Sequence, residues 1–312
     1  MGMKKISIIG AGNVGAQVAF LATIKELGNI ILVDVTEGIA KGKALDLQQA
    51  TPLLQSSVKI QGTSDYQEIK DSDIVIVTAG VPRKPGMARE DLLATNAKIV
   101  KEVVSNVAKY APQCILILVT NPLDEMVYLA KKISNFPKER ILGMAGALDT
   151  ARFQMFIAEE LKCNPHDVLA TVLGSHGDTM VPLPRFTTVN KKSITELMPE
   201  NKLSGIIERT RNGGIEIVNY LKTGSAFFAP ASAIIAMVES IIKDQKRTLP
   251  CCVELSGEYG YNHVLVGVPV VLGRKGVEKI IELPLNQEEK KLLAKTVEHV
   301  KSHYPDIDKL LR

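Results

Sequence analysis

Five histidines occur in the 312-residue chain, and one stands in Gly174-Ser175-His176-Gly177-Asp178. Glycine on both sides frees the backbone to present the ring, and an imidazole that titrates near neutrality suits a general acid/base. Asp149 and Arg152 are three residues apart near the start of a helical pattern, which puts both on one helix face. There Asp149 could hold an imidazole in one tautomer and stabilise its protonated form. Arg152 could clamp a substrate carboxylate with two parallel N–H donors. A further segment, Ala79-Gly80-Val81-Pro82-Arg83-Lys84-Pro85-Gly86-Met87-Ala88-Arg89, combines two Pro, two Gly and three cations. Such a loop can close over an anion and exclude water. Taken singly, each feature has a plainer reading: a structural histidine, an ordinary ion pair helped by the helix dipole, a solvated basic loop.

The partner for proton chemistry is suggested by Gly10-Ala11-Gly12-Asn13-Val14-Gly15, which follows an apolar run at 4–9 and opens a helical pattern to about residue 27. In this context Gly10 allows a tight turn and Gly12 lets the backbone approach a pyrophosphate. Gly15 permits close helix-to-strand packing, with the anion at the helix N-terminus. Asp34 ends the second apolar run, 19 residues beyond Gly15. A carboxylate there bonds a ribose 2′-OH and repels a 2′-phosphate, and Val35-Thr36-Glu37 bring no Arg to accept one. The pattern therefore favours NAD over NADP.

The elements that must position these residues read as β-α-β units. Short β-branched runs at 4–9, 29–33, 73–78 and 114–119 alternate with helical patterns such as 92–110 and 123–134. Continuous apolarity in the runs fits parallel strands covered on both faces, so the expected fold is α/β, a doubly wound parallel (Rossmann) sheet. From about residue 145 the texture becomes mixed α/β: a helix at 149–161, a strand at 168–173, a Pro-rich 181–185 and helices between 203 and 243. Strands at 249–255 and 264–272 follow, then a Lys- and Glu-rich helix from 287 to about 303. With about 150 residues to a domain, this suggests a nucleotide domain at 1–145 and a substrate domain at 146–312 in close contact.

Composition narrows the function classes. Hydrophobic residues are 46% and charged ones 23%, ordinary for a globular protein, so disorder or a disulfide scaffold has no support. The net charge of +4 is dispersed and aromatics are 4% with no Trp, which argues against nucleic acid. Cys114, Cys163, Cys251 and Cys252 have no C-x-x-C spacing and fit a reducing cytosol. Lys4 and Lys5 before an apolar stretch mimic a secretory signal, but Gly10, Gly12, Asn13, Gly15 and Gln17 break it. No run reaches a membrane span. The expectation is a soluble cytoplasmic protein with no nucleic-acid or membrane partner and no metal.

Taken together, the glycine turn, the loop from Arg83 to Arg89, Thr120-Asn121-Pro122, Asp149-Thr150-Ala151-Arg152 and Gly174-Ser175-His176-Gly177-Asp178 resemble the lactate/malate dehydrogenase family. The likeness runs in order along nearly the whole chain. It implies His176 as proton donor and acceptor, Asp149 as its orienting partner, and Arg152 as the clamp on the carboxylate beside the reacting carbon. Arg89 would polarise the carbonyl, and Asn121 would bond substrate and nicotinamide. Thr78, Gly80, Asn96 and Val119 would join Gly10, Gly12, Asn13, Val14, Gly15 and Asp34 around NAD. Arg83 falls where members acting on malate carry Arg and those acting on lactate typically carry Gln, and Gly224-Ser225-Ala226 resembles the wall facing that second carboxylate. The resemblance thus implies reversible oxidation of (S)-malate to oxaloacetate in a homo-oligomer, a dimer or a tetramer; the expectation is a homotetramer, which residue spacing does not address. The long N-terminal arm of vertebrate lactate dehydrogenases has no counterpart, so its interfaces do not carry over.

Two rivals share the N-terminal pattern. An NAD-dependent glycosidase needs a metal site, and Cys163 with His166 is the only close Cys/His pair. A non-catalytic NAD sensor would lack some of His176, Asp149, Arg152 and Arg89, all of which are present.

Overall fold

A computed structural model describes residues 3–82 and 89–311. The first half runs β1 (Lys5–Ile9), α1 (Asn13–Ile24), β2 (Asn29–Val33), α2 (Glu37–Leu54), β3 (Ile60–Thr63), β4 (Ile74–Val77), α3 (Arg89–Tyr110), β5 (Ile115–Leu118), α4 (Leu123–Ser134) and β6 (Ile141–Gly143). Its six strands pair in parallel in the order β6-β5-β4-β1-β2-β3. They are continuously apolar because both faces are covered. Ile6, Ile8, Ile74 and Ile76 pack with Val18 and Ala19 of α1, whereas Val75 and Val77 pack with Val100 and Val104 of α3 and Met126 of α4. The order of connection reverses between β1 and β4, and ligands of such sheets bind beyond the strand C-termini at that reversal.

The second half runs α5 (Gly146–Leu161), β7 (Val168–Leu169), β8 (Val172–Leu173), β9 (Val181–Pro182), β10 (Thr188–Val189), β11 (Lys192–Ser193), α6 (Ile194–Leu197), α7 (Glu200–Leu221), α8 (Phe228–Ile242), β12 (Arg247–Ser256), β13 (Asn262–Gly273), β14 (Gly276–Ile280), α9 (Gln287–Ser302) and α10 (Tyr304–Leu311). The single strand expected at 168–173 is two strands in different sheets: β7 pairs with β10, and β8 with β9. Side chains of α5 divert the chain between them, since Gln154 donates to the Val168 carbonyl at 2.7 Å and Thr150 Oγ1 accepts the Val172 N–H at 3.1 Å. The antiparallel ribbon β12-β13-β14 joins the edge of β6, with Cys252 opposite Gly143, so one nine-stranded sheet passes through both halves. Among the described residues no helix is long and apolar enough to cross a membrane.

Candidate active site

The loop after β8 carries His176. Its start is pinned to β13 by a reciprocal pair of bonds, Gly174 N–H to Gly267 O and Gly267 N–H to Gly174 O, each 2.9 Å. Gly174 and Gly177 have φ of +91° and +144°, a backbone that side chains rarely adopt, so the turn that presents His176 depends on glycine at both positions. His176 Nδ1 lies 2.9 Å from Asp149 Oδ2 in the first turn of α5. The other oxygen, Oδ1, accepts from Arg152 Nη1 at 3.2 Å. One buried carboxylate thus ties the imidazole to the guanidinium. Burial alone would lower the proton affinity of His176. The charge and hydrogen bond of Asp149 outweigh it and leave the ring's pKa above its ordinary value. Arg152 rests along α7, where a methyl added at Gly213 would come within 3.2 Å of its Cδ.

The glycine turn Gly10–Gly15 lies at the C-terminal edge of β1. Gly10 has φ of +108°, and a methyl at Gly15 would sit 1.9 Å from the Gly10 carbonyl oxygen, so both glycines are demanded by the protein itself. At Gly12 a methyl would meet no protein atom within 4 Å. Nothing in the protein requires glycine there, which fits a turn left open for a ligand's approach. Gly12 and Asn13 are exposed and Val14 is half-buried at the N-terminus of α1. Asp34 accepts the Ala11 N–H at 2.8 Å and the Thr36 N–H at 3.0 Å, which holds its carboxylate against the turn. Thr78 Oγ1 donates to the Gly10 carbonyl at 3.0 Å. Gly80, with φ of +156°, follows β4.

Asn96 is buried and its amide is used on backbone. Oδ1 accepts the Val81 N–H at 2.8 Å, while Nδ2 donates to the carbonyls of Val81 at 3.1 Å and Asn121 at 2.6 Å. It thereby couples the segment after β4 to the segment after β5, where Val119 is half-buried and Asn121 is exposed. Gly224-Ser225-Ala226 lies in the connection from α7 to α8. Arg83 lies outside the described residues, as does the side chain of Arg89 at the start of α3.

Two further contacts had no signal in the sequence. Lys43 of α2 donates to the Ala11 carbonyl at 2.7 Å, gripping the glycine turn opposite Asp34. Asp124 of α4 accepts the His176 backbone N–H at 3.0 Å. A lysine in a helical pattern and an acid in a first helical turn read as ordinary surface residues until the fold brings them here.

The sequence model of the lactate/malate dehydrogenase NAD-binding domain matches residues 4–143, and that of the family's alpha/beta C-terminal domain matches 146–310. The chain belongs to the lactate/malate dehydrogenase family. It is 54% identical over 298 residues to a malate dehydrogenase of Roseiflexus castenholzii, covering 96% of each chain. The Cryptosporidium parvum malate dehydrogenase structure superposes with a TM-score of 0.96 at 44% identity, covering 98% of this chain and 99% of that one. A lactate dehydrogenase of the same organism, complexed with lactic acid and nicotinamide adenine dinucleotide, gives the same TM-score at 39% identity over 99% of both chains. As a member of the lactate/malate dehydrogenase family the chain is an NAD-dependent oxidoreductase. The open space at Gly12 and the carboxylate of Asp34 fit that dinucleotide. Because malate and lactate enzymes share this backbone equally well, the fold does not choose between their substrates.

Proposed function

We propose that the chain interconverts (S)-malate and oxaloacetate, with His176 as the proton carrier. The observation that carries the proton chemistry is the continuous array of His176, Asp149 and Arg152, joined at 2.9 and 3.2 Å within the family's C-terminal region, and the 54% identity to a malate dehydrogenase over nearly the whole chain supports malate as the substrate. NAD, when bound, supplies the hydride acceptor. Gly10, Gly12, Asn13, Val14, Gly15, Asp34, Thr78, Gly80, Asn96, Val119 and Asn121 would hold it, Asn96 by tying the segment after β4 to the segment after β5. Arg152 clamps the C1 carboxylate and thereby orients the substrate. His176 Nε2 then takes the C2 hydroxyl proton during oxidation and returns it during reduction, while Asp149 stabilises the imidazolium formed between. Arg89 and the segment around it exclude water and stabilise charge on the C2 oxygen. Arg83 pairs with the second carboxylate, the group that separates oxaloacetate from pyruvate.

With pyruvate the Arg83 guanidinium would lack the second carboxylate, and losing one partner of a desolvated charge pair costs about 2 to 5 kcal/mol. That corresponds to a preference for oxaloacetate of about 30-fold or more in kcat/KM. Steady-state NADH consumption with the two keto acids side by side tests this. Arg83→Gln should cut oxaloacetate use sharply and raise pyruvate use from a low base, whereas Arg152→Gln should damage both. Equal losses on the two substrates after Arg83→Gln would overturn the malate assignment and leave the dehydrogenase standing.

The same proposal places the functional division at 1–145 and 146–312. It expects a homo-oligomer, a tetramer in preference to a dimer. The exposed apolar side chains Phe20 and Ile24 of α1, Leu45 and Leu53 of α2 and Ile215 and Leu221 of α7 support association. A cytoplasmic setting is supported by four cysteines that are all unpaired, three of them buried.

A further inference from the structure

We propose that Asp124 is a positioning residue for the reaction, fixing His176 through its backbone N–H and holding a negative charge behind the imidazole. The inference rests on the assignment of His176 as the proton carrier and goes beyond it. Asp124 is 3% exposed in the first turn of α4. It does not cap that helix, whose N-cap is Pro122 with no side-chain bond. Its Oδ2 accepts the His176 N–H at 3.0 Å, whereas Oδ1 accepts no hydrogen bond among the described residues. A carboxylate taken out of water and given one backbone N–H and the weak donor of the Cys252 thiol is a costly arrangement, only partly offset by the positive end of α4. The bond it does make fixes the residue assigned to carry the proton. His176 is therefore held by two buried carboxylates, Asp149 at ring Nδ1 and Asp124 at the main chain.

Titratable groups surround Asp124 on every side. Glu125 precedes the next turn of its own helix and has Oε1 2.9 Å from Nδ1 of His303. Cys252 of β12 and Tyr304 of α10 face it from the sheet and the C-terminal helix, and His176 from the loop. Burial, followed by the charge of Glu125, pushes the Asp124 carboxyl up to about 6, and above that pH its charge favours the protonated form of His176. Removing the charge should therefore lower the proton affinity of His176. Removing the acceptor as well should let the His176 loop drift from Asp149.

Two variants of the full chain separate these effects: Asp124→Asn keeps an oxygen for the His176 N–H and loses the charge, and Asp124→Ala loses both. For each, NADH affinity is measured by calorimetry, and kcat and KM for oxaloacetate are followed across pH. Reduction requires protonated His176, so the alkaline limb of kcat/KM reports its proton affinity. We expect Asp124→Ala to lose about 10- to 100-fold in kcat, less than the full contribution of a general acid/base because the imidazole itself remains, with NADH affinity unchanged. Asp124→Asn should recover most of kcat yet move the alkaline limb to lower pH by about half a unit to one unit. An unmoved limb in Asp124→Asn overturns the proposal, even if Asp124→Ala fails to fold. So does a loss of NADH binding in both variants that parallels the loss of kcat. Failure of the unmodified chain to consume NADH with oxaloacetate would overturn the functional reading and this inference with it, and is read before any variant is made.

Discussion

At the scale of single residues, the site divides into groups that touch the reactants and groups that hold them. His176→Asn should leave NADH binding nearly intact and lower turnover by about 10² to 10⁴, the usual contribution of general acid/base catalysis. Since the chain has no Trp, NADH fluorescence gives the binding curve free of indole emission, and near-normal turnover would return His176 to a structural role. In the proposed role the same residue should set a pH dependence with opposite signs in the two directions. Because Asp149 raises its proton affinity, the neutral base needed for malate oxidation forms only as pH climbs past that raised value, while reduction fades there. Asp34→Ser should remove repulsion of a 2′-phosphate and narrow the NAD to NADP ratio of kcat/KM. It also takes an acceptor from the Ala11 N–H, so NAD affinity should fall in the same variant.

At the scale of elements, the turn between β1 and α1 is the least tolerant part of the nucleotide site. Gly15→Ala would drive a methyl into the Gly10 carbonyl at 1.9 Å, forcing turn and helix apart. Overpacking of this kind costs about 1 to 3 kcal/mol. We expect a lower melting temperature together with weaker NADH binding, and unchanged values of both would show that the helix can retreat. The turn and its four flanking strands were legible in the sequence because parallel strands buried on both faces leave uninterrupted β-branched runs. Strands β3 and β6 were not legible, because β3 has Gln61 and Gly62 within its four residues and β6 has three residues and ends on Gly143. Those glycines are there for packing: a methyl at Gly62 would lie 2.2 Å from the Ala40 carbonyl oxygen of α2, and one at Gly143 would lie 2.7 Å from Val127 of α4. The candidate site was legible as residue types, and the i,i+3 relation of Asp149 and Arg152 placed them together correctly. What brings His176 to them is the break after β7 and the Gly174–Gly267 pairing, long-range features that no local pattern encodes.

At the scale of the whole molecule, the antiparallel ribbon on β6 makes one sheet of what the sequence suggested as two regions. Cys251 and Cys252 of β12 are completely buried, Cys251 in the core shared with β1 and α1 and Cys252 in the core shared with α4 and β5. Melting should therefore appear as one cooperative transition in calorimetry, and two resolved transitions would show that the halves unfold independently. The seam matters for recombination as well. A chimera that joined residues 1–145 of this chain to the remainder of a lactate-active relative would pair β6 with a foreign β12, in a contact so close that a methyl added at Gly143 would lie 3.0 Å from the Cys252 Cβ. The unit that can be exchanged between relatives is thus set by the sheet and not by chain order: β12 has to travel with β6, even though about a hundred residues separate them in the sequence.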